Sequence, residues 1–289
     1  MSKKIGYGKP LSANSNAKIN LFLYVLGKRD DGYHNIYSLF APIDLSDTIT
    51  ITPCDKTIIV CNKKYIPVDN KNIILQVDNI LRKDYGITTN FHIELIKRIP
   101  VGAGLGGGSS NAATYLNLVL QSEGIDLPIE EKEKIMLQVG SDTLFFLYNK
   151  PALVAGRGEI SSFINISSKC YVLIIYPNKH ISTKNIYSSK DLLYSNKENL
   201  PFIDKNISYN EIKNIMKNDL EVPVFKMYPY IKEVIESINQ KGNGVALMSG
   251  SGSTVFGLYD DENLLNEDYD FFSNRYKDFF IKKAKMIDF

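Results

Sequence analysis

The residues best suited to chemistry are Pro100-Val101-Gly102-Ala103-Gly104-Leu105-Gly106-Gly107-Gly108-Ser109-Ser110, followed at once by Asn111-Ala112-Ala113. Glycine lets the backbone adopt positive φ and approach a ligand closely. Ser109 and Ser110 are favoured N-cap types, and Ala112, Ala113, Leu116, Val119 and Leu120 recur at helical spacing. The pattern predicts a helix over 111–121 opened by the two serines. Upstream, the alternation of Phe91, Ile93 and Leu95 predicts a strand over 91–96. A glycine loop between a strand and a helix start, with free N–H groups and a positive dipole end, is an anion site. A flexible linker would not have regular structure tight against both ends. Phosphate binding is therefore expected here.

Two standard phosphate schemes fit poorly. A Walker A loop needs lysine just before its Ser or Thr, and Gly108 occupies that place. The dinucleotide fingerprint asks for an acid about twenty residues on, after a second strand. Glu123 and Asp126 lie near that distance but in a Gly-Ile-Asp-Leu-Pro context that reads as a loop. A second glycine-rich stretch, Leu247-Met248-Ser249-Gly250-Ser251-Gly252-Ser253-Thr254-Val255-Phe256, would alone be a long hairpin loop. By residue type alone, Lys18 reads as a surface lysine at a strand start and Asp142 as a helix N-cap.

The elements needed to hold these groups alternate along the chain without repeats. Strands are predicted at Ile19–Val25, Thr48–Thr52, Ile58–Val60 and Cys170–Tyr176, with a turn-rich loop at Gly27–His34. Helical spacing predicts Asn72–Lys83, Ile129–Val139 and Ile231–Asn239, while Val245–Leu258 reads as strand, turn and strand. Residues Ser182–Asn210 are polar and read as a loop or junction. The result is an α+β chain in two halves, 1–165 and 166–289.

Composition suits a soluble enzyme. The chain has 289 residues, enough for two modest domains with real cores. Lys+Arg 34 against Asp+Glu 32 leaves a net charge of +2, so no bulk field attracts nucleic acid or an acidic membrane. Basic spots such as Lys97-Arg98 and Lys282-Lys283-Lys285 read as solvated faces. Cys54, Cys61 and Cys170 lack metal-ligand spacing, and their odd number suits a reducing compartment. No apolar run approaches a membrane span and no signal-peptide pattern opens the chain, so a cytoplasmic location is expected.

The 100–110 run resembles a signature of the GHMP kinases, usually Pro-x-x-x-Gly-Leu-Gly-x-Ser-x-Ala, here with one extra glycine at Gly108. Ala17-Lys18-Ile19-Asn20-Leu21-Phe22-Leu23, then Gly27-Lys28-Arg29-x-Asp31-Gly32-Tyr33-His34, resembles the family's first signature, and 247–256 its C-terminal one. The Gly-Tyr-His element and the Gly-Leu-Gly-Gly-Gly-Ser-Ser-Asn-Ala-Ala loop resemble one branch, whose acceptor is a cytidine diphosphate-linked methylerythritol of the non-mevalonate isoprenoid route. The likeness spans nearly the whole chain.

That resemblance implies a two-domain GHMP kinase fold: an N-terminal ATP-loop domain and a C-terminal ferredoxin-like domain. It implies ATP and Mg²⁺ as cofactors and γ-phosphoryl transfer to the acceptor's 2-hydroxyl. Lys18 and Asp142 fall on the catalytic lysine and aspartate. Asn72, Ile73 and Lys97 fall on the nucleotide side, with Pro100, Val101, Gly102, Ala103, Gly104, Leu105, Gly106, Gly107, Gly108, Ser109 and Ser110 on the phosphates. Asn20, Tyr33, His34, Asn111, Tyr187, Gly250 and Gly252 fall on the acceptor side, with Tyr33 and Tyr187 sandwiching the base. The metal ligands are not assigned, although Ser109 or Ser110 would reach Mg²⁺. The partner is a small molecule rather than nucleic acid or membrane, and the chain a monomer or weak homodimer.

Some positions depart from the family pattern. Gly140-Ser141-Asp142-Thr143-Leu144-Phe145-Phe146 replaces Gly-Ala-Asp-Val-Pro-Phe-Phe, which removes a rigid φ beside the aspartate. Pro177-Asn178 replaces Pro-Gly, a mild change because asparagine tolerates a left-handed backbone. Another GHMP kinase, such as a homoserine or mevalonate kinase, is the rival enzyme, separated by the Gly-Tyr-His element. Retention of Lys18 and Asp142 counts against an inactive nucleotide-binding homologue. His92 and His180 read as ordinary surface residues.

Overall fold

Apolar residues spaced by three and four become helices, and those that alternate or run together become strands. The computed structural model describes residues 9–287. In chain order the elements are β1 (Leu11–Lys28), β2 (His34–Cys54), β3 (Ile58–Cys61), α1 (Ile73–Tyr85), β4 (Asn90–Ile96), α2 (Gly107–Glu123), α3 (Ile129–Val139) and α4 (Thr143–Tyr148). Then come β5 (Ala152–Gly156), β6 (Glu159–Phe163), β7 (Asn165–Ile166), β8 (Tyr171–Tyr176), α5 (Thr183–Tyr187), β9 (Asn206–Ile207) and α6 (Tyr209–Ile215). The chain closes with α7 (Glu221–Met227), α8 (Pro229–Lys241), β10 (Val245–Met248), β11 (Val255–Tyr259), α9 (Glu262–Arg275) and β12 (Phe280–Lys285).

These elements form two compact units. The first takes the described residues up to Asn16, Ser46–Ile99 and Gly107–Tyr148. The second takes Ala17–Leu45, Pro100–Gly106 and the chain from Asn149 onward. The long strands β1 and β2 thus contribute residues to both.

In the first unit, β4 pairs antiparallel with the second half of β2, from Thr48↔Ile96 to Cys54↔Asn90, and parallel with β3. Phe91, Ile93 and Leu95 are buried, as the alternation requires. Helix α2 buries Ala112, Ala113, Tyr115, Leu116, Leu118, Val119 and Leu120, too wide a face for a surface helix. It packs between α1 and α4. The Tyr115 hydroxyl donates to Asp78 of α1 at 2.7 Å, and Arg82 pairs with the same carboxylate at 2.7 Å. The aromatic ring and the ion pair together fix the axis of the helix that follows the glycine loop.

Helix α2 begins at Gly107, four residues before the predicted start. Ser109 and Ser110 therefore lie inside its first turn rather than capping it. The glycines take up the helix entry, with Gly106 at φ +69°, and this frees the Ser109 hydroxyl for another partner.

In the second unit, β8, β10, β11 and β12 form an antiparallel sheet in the order β10-β11-β8-β12. With helices after its first and third strands, this is the ferredoxin-like arrangement. Its core joins Leu23 and Val25 of β1 to Leu173, Ile175, Ile231, Ile238, Met248 and Phe272. Each such side chain contributes about 1.5–3 kcal/mol on full burial. The first half of β2 pairs with β5, and β5 with β6. The polar stretch read as a loop contains α5, a short 3₁₀ turn at Lys197–Asn199 and β9. Asn178 takes φ +54°, the left-handed conformation that its substitution for glycine requires.

Candidate active site

The first unit brings the start of α2 to Asp142, the residue before α4. The Ser109 hydroxyl donates to Asp142 Oδ1 at 2.7 Å, and both side chains are partly exposed. Thr143, fully buried, directs its hydroxyl at the carbonyls of Met136 (2.8 Å) and Gly140 (2.6 Å). That hydroxyl holds the Gly140–Asp142 turn where the family pattern has a proline just after it.

The first unit also holds a buried ionic network. Lys97 pairs with Asp47 and donates to Asn111 Oδ1 at 3.0 Å; Asn111 Nδ2 donates to Asp47 at 2.9 Å. The other Asp47 oxygen accepts from the amides of Arg98 (2.7 Å) and Ile99 (2.9 Å), just ahead of the glycine loop. Lys97 and Asn111 are 5% and 3% exposed, so neither lies on a solvated face. A Cβ on Gly107 would stand 2.9 Å from Ile99 and 3.2 Å from the Lys97 ammonium, so only glycine fits over this pair.

Asn72 caps α1, its Oδ1 accepting from Ile74 N at 3.0 Å and its Nδ2 donating to Pro67 O at 2.7 Å. One N–H of its amide is left for a further partner. Ile73 beside it is half-buried.

In the second unit, Lys18 is 6% exposed, not a surface lysine. Its ammonium donates to Asn20 Oδ1 and stands 4.8 Å from the Phe40 ring centre. Asn20 donates to Ser38 Oγ at 3.0 Å, and Ser38 to the Phe22 carbonyl. The Lys18 amide donates to Leu105 O at 3.0 Å, which ties the lysine's strand to the glycine loop. Both glycine loops meet here: Ser249 Oγ donates to Gly104 O at 2.9 Å, and a Cβ on Gly104, at φ +77°, would collide with the Ser249 carbonyl. His180 also belongs here, its Nδ1 3.3 Å from Gly102 O. A carbonyl only accepts, so Nδ1 carries the proton of that bond.

An aromatic group surrounds His34. Its ring centre lies 5.0 Å from Tyr187 and 5.9 Å from Tyr194, whose hydroxyl is 3.3 Å from His34 Nε2. Burial, then the Lys28 charge, holds the His34 imidazole below its ordinary range, and burial pushes the Tyr187 hydroxyl up. Tyr33 is 52% exposed and carries the Arg157 guanidinium 3.8 Å from its ring centre.

Sequence reasoning passed over Asp47, Ser249 and His180. Asp47 pairs with a residue fifty positions away and leaves no local trace. Ser249 sits within a stretch already noted, but its bond to Gly104 depends on tertiary placement.

In the first unit an aspartate is bonded to a helix that opens at a glycine, and in the second the strand of a buried lysine is bonded to one glycine loop that meets another; each is a feature expected of a phosphotransferase of the GHMP class. Family models agree, GHMP kinases N terminal domain matching residues 72–150 and GHMP kinases C terminal residues 200–278. A 4-diphosphocytidyl-2-C-methyl-D-erythritol kinase of Azobacteroides pseudotrichonymphae is 40% identical over 250 residues, covering 84% of this chain and 91% of its own. One from Thermoanaerobacter pseudethanolicus is 36% identical over 282 residues, covering 96% of each. The chain belongs to the 4-diphosphocytidyl-2-C-methyl-D-erythritol kinase family of the GHMP kinases. A solved 4-(cytidine 5'-diphospho)-2C-methyl-D-erythritol kinase superposes with TM-score 0.78 at 26% identity, over 95% of this chain and 99% of that one. The Methanococcus jannaschii mevalonate kinase, at 20% identity and TM-score 0.69 over 97% and 99% of the two chains, shares the fold.

Proposed function

We propose that this chain transfers the γ-phosphoryl group of ATP to the 2-hydroxyl of 4-diphosphocytidyl-2-C-methyl-D-erythritol. The observation that carries the chemistry is the Ser109–Asp142 bond at the first turn of α2, within a chain of this kinase family. Phosphoryl transfer asks for positioning and charge stabilisation more than for covalent chemistry. The Gly102–Ser110 amides hold the phosphates, and the N-terminal end of α2 favours their charge. Asp142 accepts the acceptor's hydroxyl proton late in the transfer. Lys18, oriented by Asn20, offsets charge on the moving group.

Lys97 and Asn111 act here through Asp47, holding the entry to the loop. Asn72 places its remaining amide N–H on the adenine side beside Ile73. Gly250 and Gly252 serve the acceptor side.

Among the described residues, no group of three or more His, Cys, Asp or Glu could hold a metal. Mg²⁺ commonly keeps its waters and substrate phosphates with only one or two protein oxygens, and the Ser109 hydroxyl would supply one, the bound ion's chemistry there being neutralisation of phosphate charge. No helix among the described residues is long and apolar enough to cross a membrane, and we infer a small-molecule enzyme of the cytoplasm.

ADP release measured with three acceptors tests this reading. Turnover is expected with the cytidyl substrate and not with homoserine or mevalonate. Preferential turnover of either of the latter would replace the acceptor assignment.

A further inference from the structure

The segment Lys217-Asn218-Asp219-Leu220-Glu221 has no motif of its own, yet it joins the Lys18 strand to the second glycine loop. Its backbone is bonded to β1: Leu23 N donates to Lys217 O at 2.7 Å and Asp219 N to Leu23 O at 2.9 Å. The Asp219 carboxylate accepts from Val25 N at 2.8 Å and from Ser195 Oγ at 2.7 Å, with Lys217 Nζ at 2.9 Å. These bonds fix the segment on the strand that carries Lys18 and Asn20.

From that base it grips the loop. Asn218, 3% exposed, donates from Nδ2 to Met248 O and to Gly250 O, each at 2.8 Å, while its Oδ1 accepts from Leu220 N at 3.0 Å. Its side-chain amide has no hydrogen left over. Glu221 Oε1 accepts from Met248 N at 2.9 Å. Gly250 is held so close that a Cβ on it would stand 3.3 Å from the Gly104 backbone and 3.5 Å from Asn20 Oδ1, the oxygen that receives the Lys18 ammonium.

We infer that Asn218 and Glu221 are positioning residues for phosphoryl transfer, holding Met248–Gly250 so that Gly250 backs both Asn20 and Gly104. The inference rests on the roles proposed for Lys18 and the glycine loop. Asn218 reaches two carbonyls of this loop at once, and carbonyls need a donor when buried. Loss of the amide leaves both without one and lets Gly250 drift. A displacement of about 1 Å in a positioning element can lower turnover a hundredfold.

The test compares wild type with Asn218→Ala, Asn218→Asp, Glu221→Ala and Glu221→Gln, using ATP and the cytidyl substrate. The Asn218 variants should lose roughly tenfold to a hundredfold in kcat. Either KM should stay within about threefold, the split expected for lost transition-state positioning. Glu221→Gln, which keeps an acceptor for Met248 N, should recover most of what Glu221→Ala loses. Hydrogen exchange should quicken at 249–252 while β4 keeps its protection. Folded Asn218 variants with wild-type kcat, or losses matched by global exchange, would overturn the inference. Should Asn218→Ala not fold, equal kcat in Glu221→Ala and wild type would overturn it as well. A wild type inactive on the cytidyl substrate sinks the functional reading instead, and local exchange in the same variants still decides whether the clamp exists.

Discussion

The Ser109 hydroxyl donates to the Asp142 carboxylate at 2.7 Å, so the helix that opens at the glycine loop and the proposed base are set by one bond. Asp142→Asn keeps the shape and removes the base. It should lower kcat by roughly 10²–10⁴-fold, the scale for a positioned acid or base, with ATP affinity nearly unchanged. A folded Asp142→Asn enzyme with full turnover would show that the proton goes elsewhere.

Gly104 combines a left-handed backbone with contact against Ser249. Gly104→Val must move one loop or the other, and ATP binding should weaken more than about tenfold, the cost of a residue forced into strain. Titration calorimetry on protein with native circular dichroism reads this directly. Unchanged affinity would mean that the loop does not carry the phosphates.

Glu221 offers a pH signature. Burial raises its carboxyl from the ordinary value to about 7, against the favourable bond from Met248 N. The folded state then holds this proton more tightly than the unfolded chain does. Its contribution is favourable in acid and is lost as pH rises from the ordinary carboxyl range through about 7, by at most about 3 kcal/mol. Glu221→Gln should therefore raise the urea midpoint at pH 8 more than at pH 5. Equal shifts at both would show that the carboxyl is ionised at no cost.

We propose that His34 reads the edge of the base and Tyr187 stacks on its face. Stacking contributes about 1–3 kcal/mol per base and tolerates its identity, whereas hydrogen bonds to the edge discriminate. Tyr187→Ala should raise KM for the cytidyl substrate and a uridyl analogue by similar factors. His34→Ala should shrink the preference between them. An unaltered KM in Tyr187→Ala removes the stack, and an intact preference in His34→Ala moves base reading to other groups.

The strand, glycine loop and helix at 91–121 were legible because glycine density and helical spacing are local signals. Helix α3 was legible to its ends for the same reason. Strand β2 was read only at Thr48–Thr52, since Pro42 and an unbroken apolar run conceal a strand that extends over His34–Cys54. The burial of Lys97 was not legible: its partner Asp47 lies on β2, and only folding makes that carboxylate available. Asn218 was hidden likewise, because its two acceptors are backbone carbonyls and any sequence supplies those.

The interleaving of the two units bears on how the chain is made. Residues Ala17–Leu45 emerge early from the ribosome, and Ala17, Ile19, Leu21, Phe22, Leu23, Val25, Leu39 and Phe40 among them end up buried. Strands β5 and β8 and helix α8, which share their unit, are translated after Asn149. At about 5–20 residues per second, that leaves a sticky β-rich segment waiting roughly ten seconds for its partners. Vectorial synthesis thus leaves these apolar side chains exposed before the residues that cover them exist, the condition under which unfinished chains are prone to aggregate.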